Sequence, residues 1–497
     1  MRRRSFVIAA AAATVLVGVG VAAAAYLAFL APGDTPPTPR ATLEAPDPAQ
    51  RAAPKPAPPK PQPDRFVWRH YGYSTDHRRF FAPPASFRGP FLTVWKRKAP
   101  ALLEFPPVMA RESIFQLADN GQLASLRKKN GKVRWKKKLG RLAASAPALG
   151  GGRVYVTLLE GGHSAGRGRV VALRQRNGKQ RWSRTLPSRS ESSPLLHGGR
   201  IYFGTENGTL YCLDADNGRV IWTYRARGAV KGSPTLAHGK LFFGDYGGGV
   251  QAVRASNGHR VWSVGGAGRI YATAAVAGGK VFLGSLSGSV SAYSTRTGRR
   301  VWSHGTGSYV YASAAVSRVR GRGRTVFIGS YDGRFYALNA RTGGVRWSYN
   351  AGGRISGSAT VIGKVVYFAD LGHRRTTGLG TRSGTVVFRR DQGAYDPVIS
   401  DGKHLYLTGN HSLSALRPLK RHGKAARKRA ARRAHRVAKR KAHRAAHRRA
   451  VAKRAARRKA HRAAHRRAVA KRAARRKAHR RAARKRAARR RARSARG

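Results

Sequence analysis

Two patterns of apolar residues divide the chain. Residues 5–30, SFVIAAAAATVLVGVGVAAAAYLAFL, carry no charge and are long enough to span a bilayer as a helix of roughly 20 or more residues. From residue 65 to 418 the apolar residues instead come in short runs with period-two alternation, bounded by Gly, Asn and Asp, without helical periodicity. One unit reads clearly between Ser192 and Trp222. Residues 192–196 and 201–204 are predicted as strands on either side of the turn His197-Gly198-Gly199. A tight hairpin at Glu206-Asn207-Gly208 leads to a third strand over 209–214, and Asp216-Asn217-Gly218 turns the chain into a fourth that ends at Trp222.

That fourth strand recurs. Trp135, Trp182, Trp222, Trp262, Trp302 and Trp347 follow one another at steps of 47, 40, 40, 40 and 45 residues, and a weaker copy ends at Phe388, 41 residues later. A fixed period of this size means one supersecondary unit stacked on itself, and four antiparallel strands in about 40 residues is a propeller blade. Trp95 lies 40 residues before Trp135, in phase with the series. At the other end, residues 405–408 and 413–416 supply two strands of a unit that stops at Pro418 without its Trp strand. The two ends complete each other, so the predicted fold is all-β: an eight-bladed β-propeller over 65–418 whose last blade is closed by an N-terminal strand. Closure of this kind leaves no free sheet edge.

The runs Leu213-Asp214-Ala215-Asp216-Asn217-Gly218 to Trp222 and Leu338-Asn339-Ala340-Arg341-Thr342-Gly343 to Trp347 resemble the tryptophan-docking repeat of pyrroloquinoline-quinone-type propellers. That family includes eight-bladed quinoprotein dehydrogenases and the non-enzymatic outer-membrane assembly lipoprotein of the BamB type. The resemblance covers about residues 90–418 and implies that each of Trp95, Trp135, Trp182, Trp222, Trp262, Trp302, Trp347 and Phe388 packs on its neighbouring blade as a structural residue. The dehydrogenases hold their quinone with calcium-ligating carboxylates and, in many members, adjacent cysteines. This chain has a single cysteine, Cys212, in an apolar strand where a small core residue is expected. Glu191, Glu206, Asp214, Asp216, Asp245 and Asp332 fall in hairpins and turns, where they are expected to satisfy turn backbones rather than converge on a cation. Gly162-His163-Ser164-Ala165-Gly166 fits a nucleophile elbow by its letters, but a second strand follows instead of a helix, so an enlarged hairpin loop is expected. The reading therefore points to the non-enzymatic branch, with no catalytic, cofactor or metal residue assigned; a quinone- or calcium-dependent dehydrogenase is the alternative.

Small residues recur on the first strands, at Ser145, Ser193, Ser233, Thr273, Ser313 and Ser358, where a crowded central channel favours them. Tyr246, Tyr331, His373, Arg374 and Arg375 are candidates for a binding face on exposed hairpins, but the pattern does not choose a face.

Charge changes the picture most. Lys and Arg number 101 against 19 acids, a net charge of +82, which calls for a polyanionic partner. Residues 1–30 are read as a signal-anchor, placed by the arginines before it so that everything after lies outside the cytoplasm; Ala23-Ala24-Ala25 offers a cleavage site if it is instead a signal. Residues 31–64 hold 12 of the 24 prolines and form a linker that in polyproline geometry reaches on the order of 100 Å. Residues 419–497 form a low-complexity tail, disordered when free and helical once neutralised. Residues 420–497 contain 38 Lys and Arg and no acid, and residues 442–459 recur unchanged as 460–477. Arg448, Arg449, Lys453, Arg454, Arg457, Arg458, Lys459, Arg466, Arg467, Lys471 and Arg472 in these copies are the candidate polyanion contacts. The composition is similar to a linker-histone tail, and DNA binding is a further alternative. On the outward side the tail would meet teichoic acid, anionic lipid or extracellular DNA. Without the tail, 63 basic residues still face 19 acidic ones. The expectation is a monomeric, single-pass, envelope-exposed scaffold that binds an unidentified protein through a propeller face and anionic polymers through its tail.

Overall fold

The computed structural model describes residues 68–160, 166–393, 395 and 398–419. The segments read as anchor, linker and tail lie outside them, and so does Ser164. Among the described residues no helix is long and apolar enough to cross a membrane.

Eight sheets form eight blades. Blades 1–7 span residues 108–138, 148–186, 195–225, 235–264, 275–305, 315–350 and 360–390, each running antiparallel from an inner strand to an outer one. Blade 8 takes Val398–Ser400, Leu405–Gly409 and Ser412–Pro418 from the end of the propeller and Phe91–Lys98 from its start, with Phe91 opposite Pro418 and Lys98 opposite Ser412. The two ends of the propeller thus share one sheet. Cores lie between blades, where residues such as Phe203, Phe243, Phe282 and Phe335 are fully buried. Each such burial contributes about 1.5–3 kcal/mol. Cys212 is one of these core residues, and burial pushes its thiol up to about 12.

Adjacent blades are fastened by the tryptophans. Each indole N–H donates to a carbonyl on the next blade: Trp95 to Lys128, Trp135 to Gln175, Trp182 to Ala215, Trp222 to Ala255, Trp262 to Thr295, Trp302 to Ala340 and Trp347 to Thr381, at 2.9–3.2 Å. The turn glycine of that next blade lies flat on the indole. At Gly218, with φ of 75°, a Cβ would sit 2.6 Å from the Trp182 ring, so space and backbone both demand glycine. Phe388 occupies the remaining seam, against blade 8. There the third strand ends at Pro418 and the fourth begins at Phe91, so the usual connecting turn is missing. Phe388 meets the Phe91 ring edge-on at 6.0 Å, and having no N–H it leaves no donor unsatisfied.

Residues 68–81 supply an element that the repeat does not predict. This thread visits the blades in order. Trp68 exchanges backbone hydrogen bonds with Met109 of blade 1, the Arg69 carbonyl accepts from Leu149 of blade 2, and the His70 ring lies 3.1 Å from the Leu196 carbonyl of blade 3. The carbonyls of Thr75, Asp76, Arg78 and Arg79 then accept from Leu236, Val276, Val316 and Val361 of blades 4–7. Phe80–Phe81 finishes as a parallel strand on blade 7. On six of the seven blades an inner-strand N–H would otherwise face the channel unpaired and the thread accepts from it, while on blade 3 the His70 ring meets a carbonyl instead. Trp68, Tyr71, His77 and Arg79 are buried, with the Arg79 guanidinium 4.2 Å from the centre of the Tyr71 ring.

Candidate site at the channel mouth

Five of the six recurring hydroxyls lie three residues before the thread contact of their blade: Ser193 against Leu196, Ser233 against Leu236, Thr273 against Val276, Ser313 against Val316 and Ser358 against Val361, while Ser145 lies four before Leu149. Three residues of strand is about 10 Å, so the thread closes the channel below this ring and leaves it open on one side. The hydroxyls also join blades. Ser193 accepts from the Ala146 N–H, Thr273 from Ser233, Ser313 from Thr273 and Ser358 from Ser313, at 2.8–3.0 Å. Crowding explains their size, and these bonds explain their polarity.

Above the ring, the connections between blades and the hairpins within them share one face. The hairpin N–H groups of Glu206, Tyr246, Leu286, Tyr331 and Leu371 donate to the carbonyls of Arg189, Ala229, Arg269, Tyr309 and Arg354 on those connections. This pairing brings tyrosines from different blades into one ladder. Tyr246 and Tyr271 have ring centres 6.4 Å apart, Tyr271 and Tyr311 5.7 Å, and Tyr311 and Tyr331 4.8 Å, while Tyr309 contacts both Tyr311 and Tyr331. Tyr309 is 53% exposed, and exposed Arg227, Arg269 and Arg354 stand on the same connections. Arg354 lies 5.9 Å from the centre of the Tyr331 ring.

Beside the ladder sits a charged triad. Lys231 lies 2.8 Å from Glu191 and 3.2 Å from Glu206, and the Tyr271 hydroxyl donates to Glu191 at 2.9 Å. Burial would raise Glu191, but the Lys231 ammonium beside it holds it below the ordinary carboxyl range. Glu206 is raised, first by burial and then by its neighbour Glu191. Burial pushes Tyr246 up to about 12, so its hydroxyl remains a protonated donor near neutral pH.

Asp214, Asp245 and Asp332 do accept turn N–H groups, and Asp216 pairs with Arg153. Glu191 and Glu206 instead share Lys231. They lie 40 and 25 residues from it, and only the stacking of blades brings them together. Of the hairpin candidates, Tyr246 and Tyr331 enter the ladder. His373 and Arg374 are exposed on the blade 7 hairpin of the same face, and Arg375 pairs with Asp391 at 3.2 Å. Arg153–Leu159 and Gly168–Arg174, which flank the segment carrying Ser164 in the sequence, are paired antiparallel strands, not the strand and helix of a nucleophile elbow.

The mouth has little depth. Tyr71, Phe105, Tyr271, Tyr311 and Tyr395 reduce its cavity to about 50 Å³, room for a few waters, against roughly 300 Å³ or more for a cofactor-sized pocket. A tricyclic quinone does not fit this arrangement. Nor, among the described residues, do three His, Cys, Asp or Glu side chains group to hold a metal ion.

The family model described as outer membrane protein assembly factor BamB matches residues 92–165, 166–322 and 287–413. No curated protein matches the chain. Among solved structures, BamB from Moraxella catarrhalis is similar over 67% of this chain and 99% of its own, at 19% identity and a TM-score of 0.54. The computationally designed Ika8 protein is similar over 66% and 99%, at 13% identity and 0.55. The quinohemoprotein alcohol dehydrogenase ADHIIG from Pseudomonas putida HK5 is similar over 71% and 81%, at 11% identity and 0.60. At these identities the structures share a fold with this chain.

Proposed function

The chain belongs to the family of the outer membrane protein assembly factor BamB, and from that membership we propose that it is a non-enzymatic docking scaffold of the cell envelope. In this reading residues 5–30 anchor the propeller outside the cytoplasm, the channel mouth binds a protein partner, and the tail with Arg448 to Arg472 grips anionic polymers. The observation that carries it is the tyrosine ladder rimmed by arginine. Tyr and Arg are the residue types that dominate protein-binding hot spots, because they bury large rigid area and still offer directed hydrogen bonds. The mouth is broad and shallow, which suits a protein surface better than a small substrate.

A photocrosslinking residue placed at Tyr309 in the full-length protein, expressed in cells, tests this. A discrete protein adduct is expected that disappears with Tyr331→Ala and is absent when the probe stands at Arg296 on the opposite face. Adducts of equal yield from both faces would remove the mouth from the proposal. Dye-linked oxidation of alcohols by protein incubated with quinone and calcium would replace the scaffold by a dehydrogenase, the activity named for the Pseudomonas putida neighbour.

A further inference from the structure

A second concavity lies on the opposite face, at the seam between blades 8 and 1, and its volume is about 600 Å³. Its origin is topological. Every other blade closes this rim with the turn between its third and fourth strands, but in blade 8 those strands come from opposite ends of the propeller and no turn joins them. Leu92 and Val94, 46% and 41% exposed, form one wall.

The groove is basic. Lys128 and Asp401, both buried, pair at 3.1 Å across its base, and Asp401 also accepts from the Tyr406 hydroxyl and from the backbone N–H groups of Lys403 and His404. The carboxylate is therefore fully engaged. Arg111, Lys129, Lys403 and Arg417 remain, all exposed, and among the described residues none makes an ion pair or side-chain hydrogen bond; only Glu112 opposes them. On other blades two cations of this rim are engaged: Arg153 pairs with Asp216, and Arg200 donates to the Ser256 carbonyl of the next blade. The described chain also ends here: the Leu419 N–H donates to the Pro90 carbonyl, and the following 78 residues carry 38 Lys and Arg.

We propose that this groove binds a base-free phosphodiester polymer, of the poly(glycerol phosphate) type. The proposal rests on the reading of the chain as a polyanion-binding scaffold. Arg111 and Arg417 present guanidinium forks that match phosphate oxygens, Lys129 and Lys403 add point charges, and Leu92 with Val94 offers a surface for the C–H groups of the glycerol units between phosphates. Single-stranded nucleic acid is disfavoured because no Phe, Tyr or Trp lines the groove to stack a base, and its one aromatic ring, His404, lies against Asp401 at 3.5 Å.

Hydrogen exchange of the full-length protein with poly(glycerol phosphate) tests the groove and the tail separately. Slower exchange is expected in peptides covering residues 111–113, 127–131 and 401–405 as well as in the tail. The variant Lys403→Ala/Arg417→Ala should lose the groove protection, weaken binding about tenfold and flatten the log–log salt dependence by roughly one to two. Arg296→Ala/Arg299→Ala, which removes the same charge from a blade 5 turn, should do neither. Equal weakening by both variants, or protection confined to the tail, overturns the groove and leaves the tail reading standing. Protection in neither place overturns both. Equal groove protection by a single-stranded oligonucleotide of matched charge overturns the assignment to a base-free polymer.

Discussion

The tryptophans and the glutamates show how differently two kinds of residue can be read from sequence. Each clasp is a local signal, a turn glycine a few residues from a Trp, repeated at one period, so its packing role could be inferred before any contact was known. Phe388 also makes sense at this level, because it stands where no carbonyl-bearing turn exists to receive an indole N–H. The triad of Glu191, Glu206 and Lys231 has no such signal, since its members sit in the blade 3 hairpin and on the connections before and after that blade, and meet only in the folded ring. Two carboxylates around one ammonium are not equivalent. Glu191→Gln would leave Lys231 only the more distant Glu206, at 3.2 Å, and is expected to cost roughly 2 kcal/mol at neutral pH, whereas Glu206→Gln removes the carboxyl that is already harder to ionise and should be neutral or slightly stabilising. Urea unfolding of the two variants measures the difference, and a larger loss for Glu206→Gln would contradict the assignment.

At the scale of elements, the blades were legible and the thread was not. Strand alternation and turn chemistry are properties of short stretches. Residues 68–81 alternate with neither period, and their hydrogen bonds run to seven partners spread over more than 250 residues. Tyr73, His77 and Arg79 even adopt positive φ of 77°, 48° and 53°, which only the surrounding blades can impose. The thread should make stability sensitive to acid. Burial lowers His70 from 6.5 to about 4, with the nearby charges of Arg69 and His197 adding to the effect against its bonds to backbone carbonyls. Between these values the unfolded chain takes up a proton that the folded chain refuses, so stability falls as pH drops from 6.5 towards 4, by about 3 kcal/mol. His70→Gln should flatten that part of the pH profile of thermal unfolding; an unchanged slope would place the titrating group elsewhere.

For the whole molecule the decisive feature is closure, and the Trp95 phase predicts it while the chemistry of the closing seam stays hidden. At the other clasps the residue whose carbonyl receives the indole is Gln175, Ala215, Ala255, Thr295, Ala340 or Thr381; at the closing seam it is Lys128, buried against Asp401. Burial would raise the Asp401 carboxyl, but its hydrogen bonds and the Lys128 charge hold it well below the usual range. Asp401→Asn leaves a buried ammonium without its counter-charge and should cost roughly 3 kcal/mol, whereas Arg153→Ala, whose partner Asp216 is 74% exposed, should cost less than about 1 kcal/mol. Equal losses in denaturant titrations would show that closure does not depend on this pair. The thread adds a mechanical consequence. A pull on the chain ahead of Trp68 would not peel away one blade: the load passes along residues 68–81 and is divided among the inner strands of seven blades, like a drawstring taken up through successive eyelets.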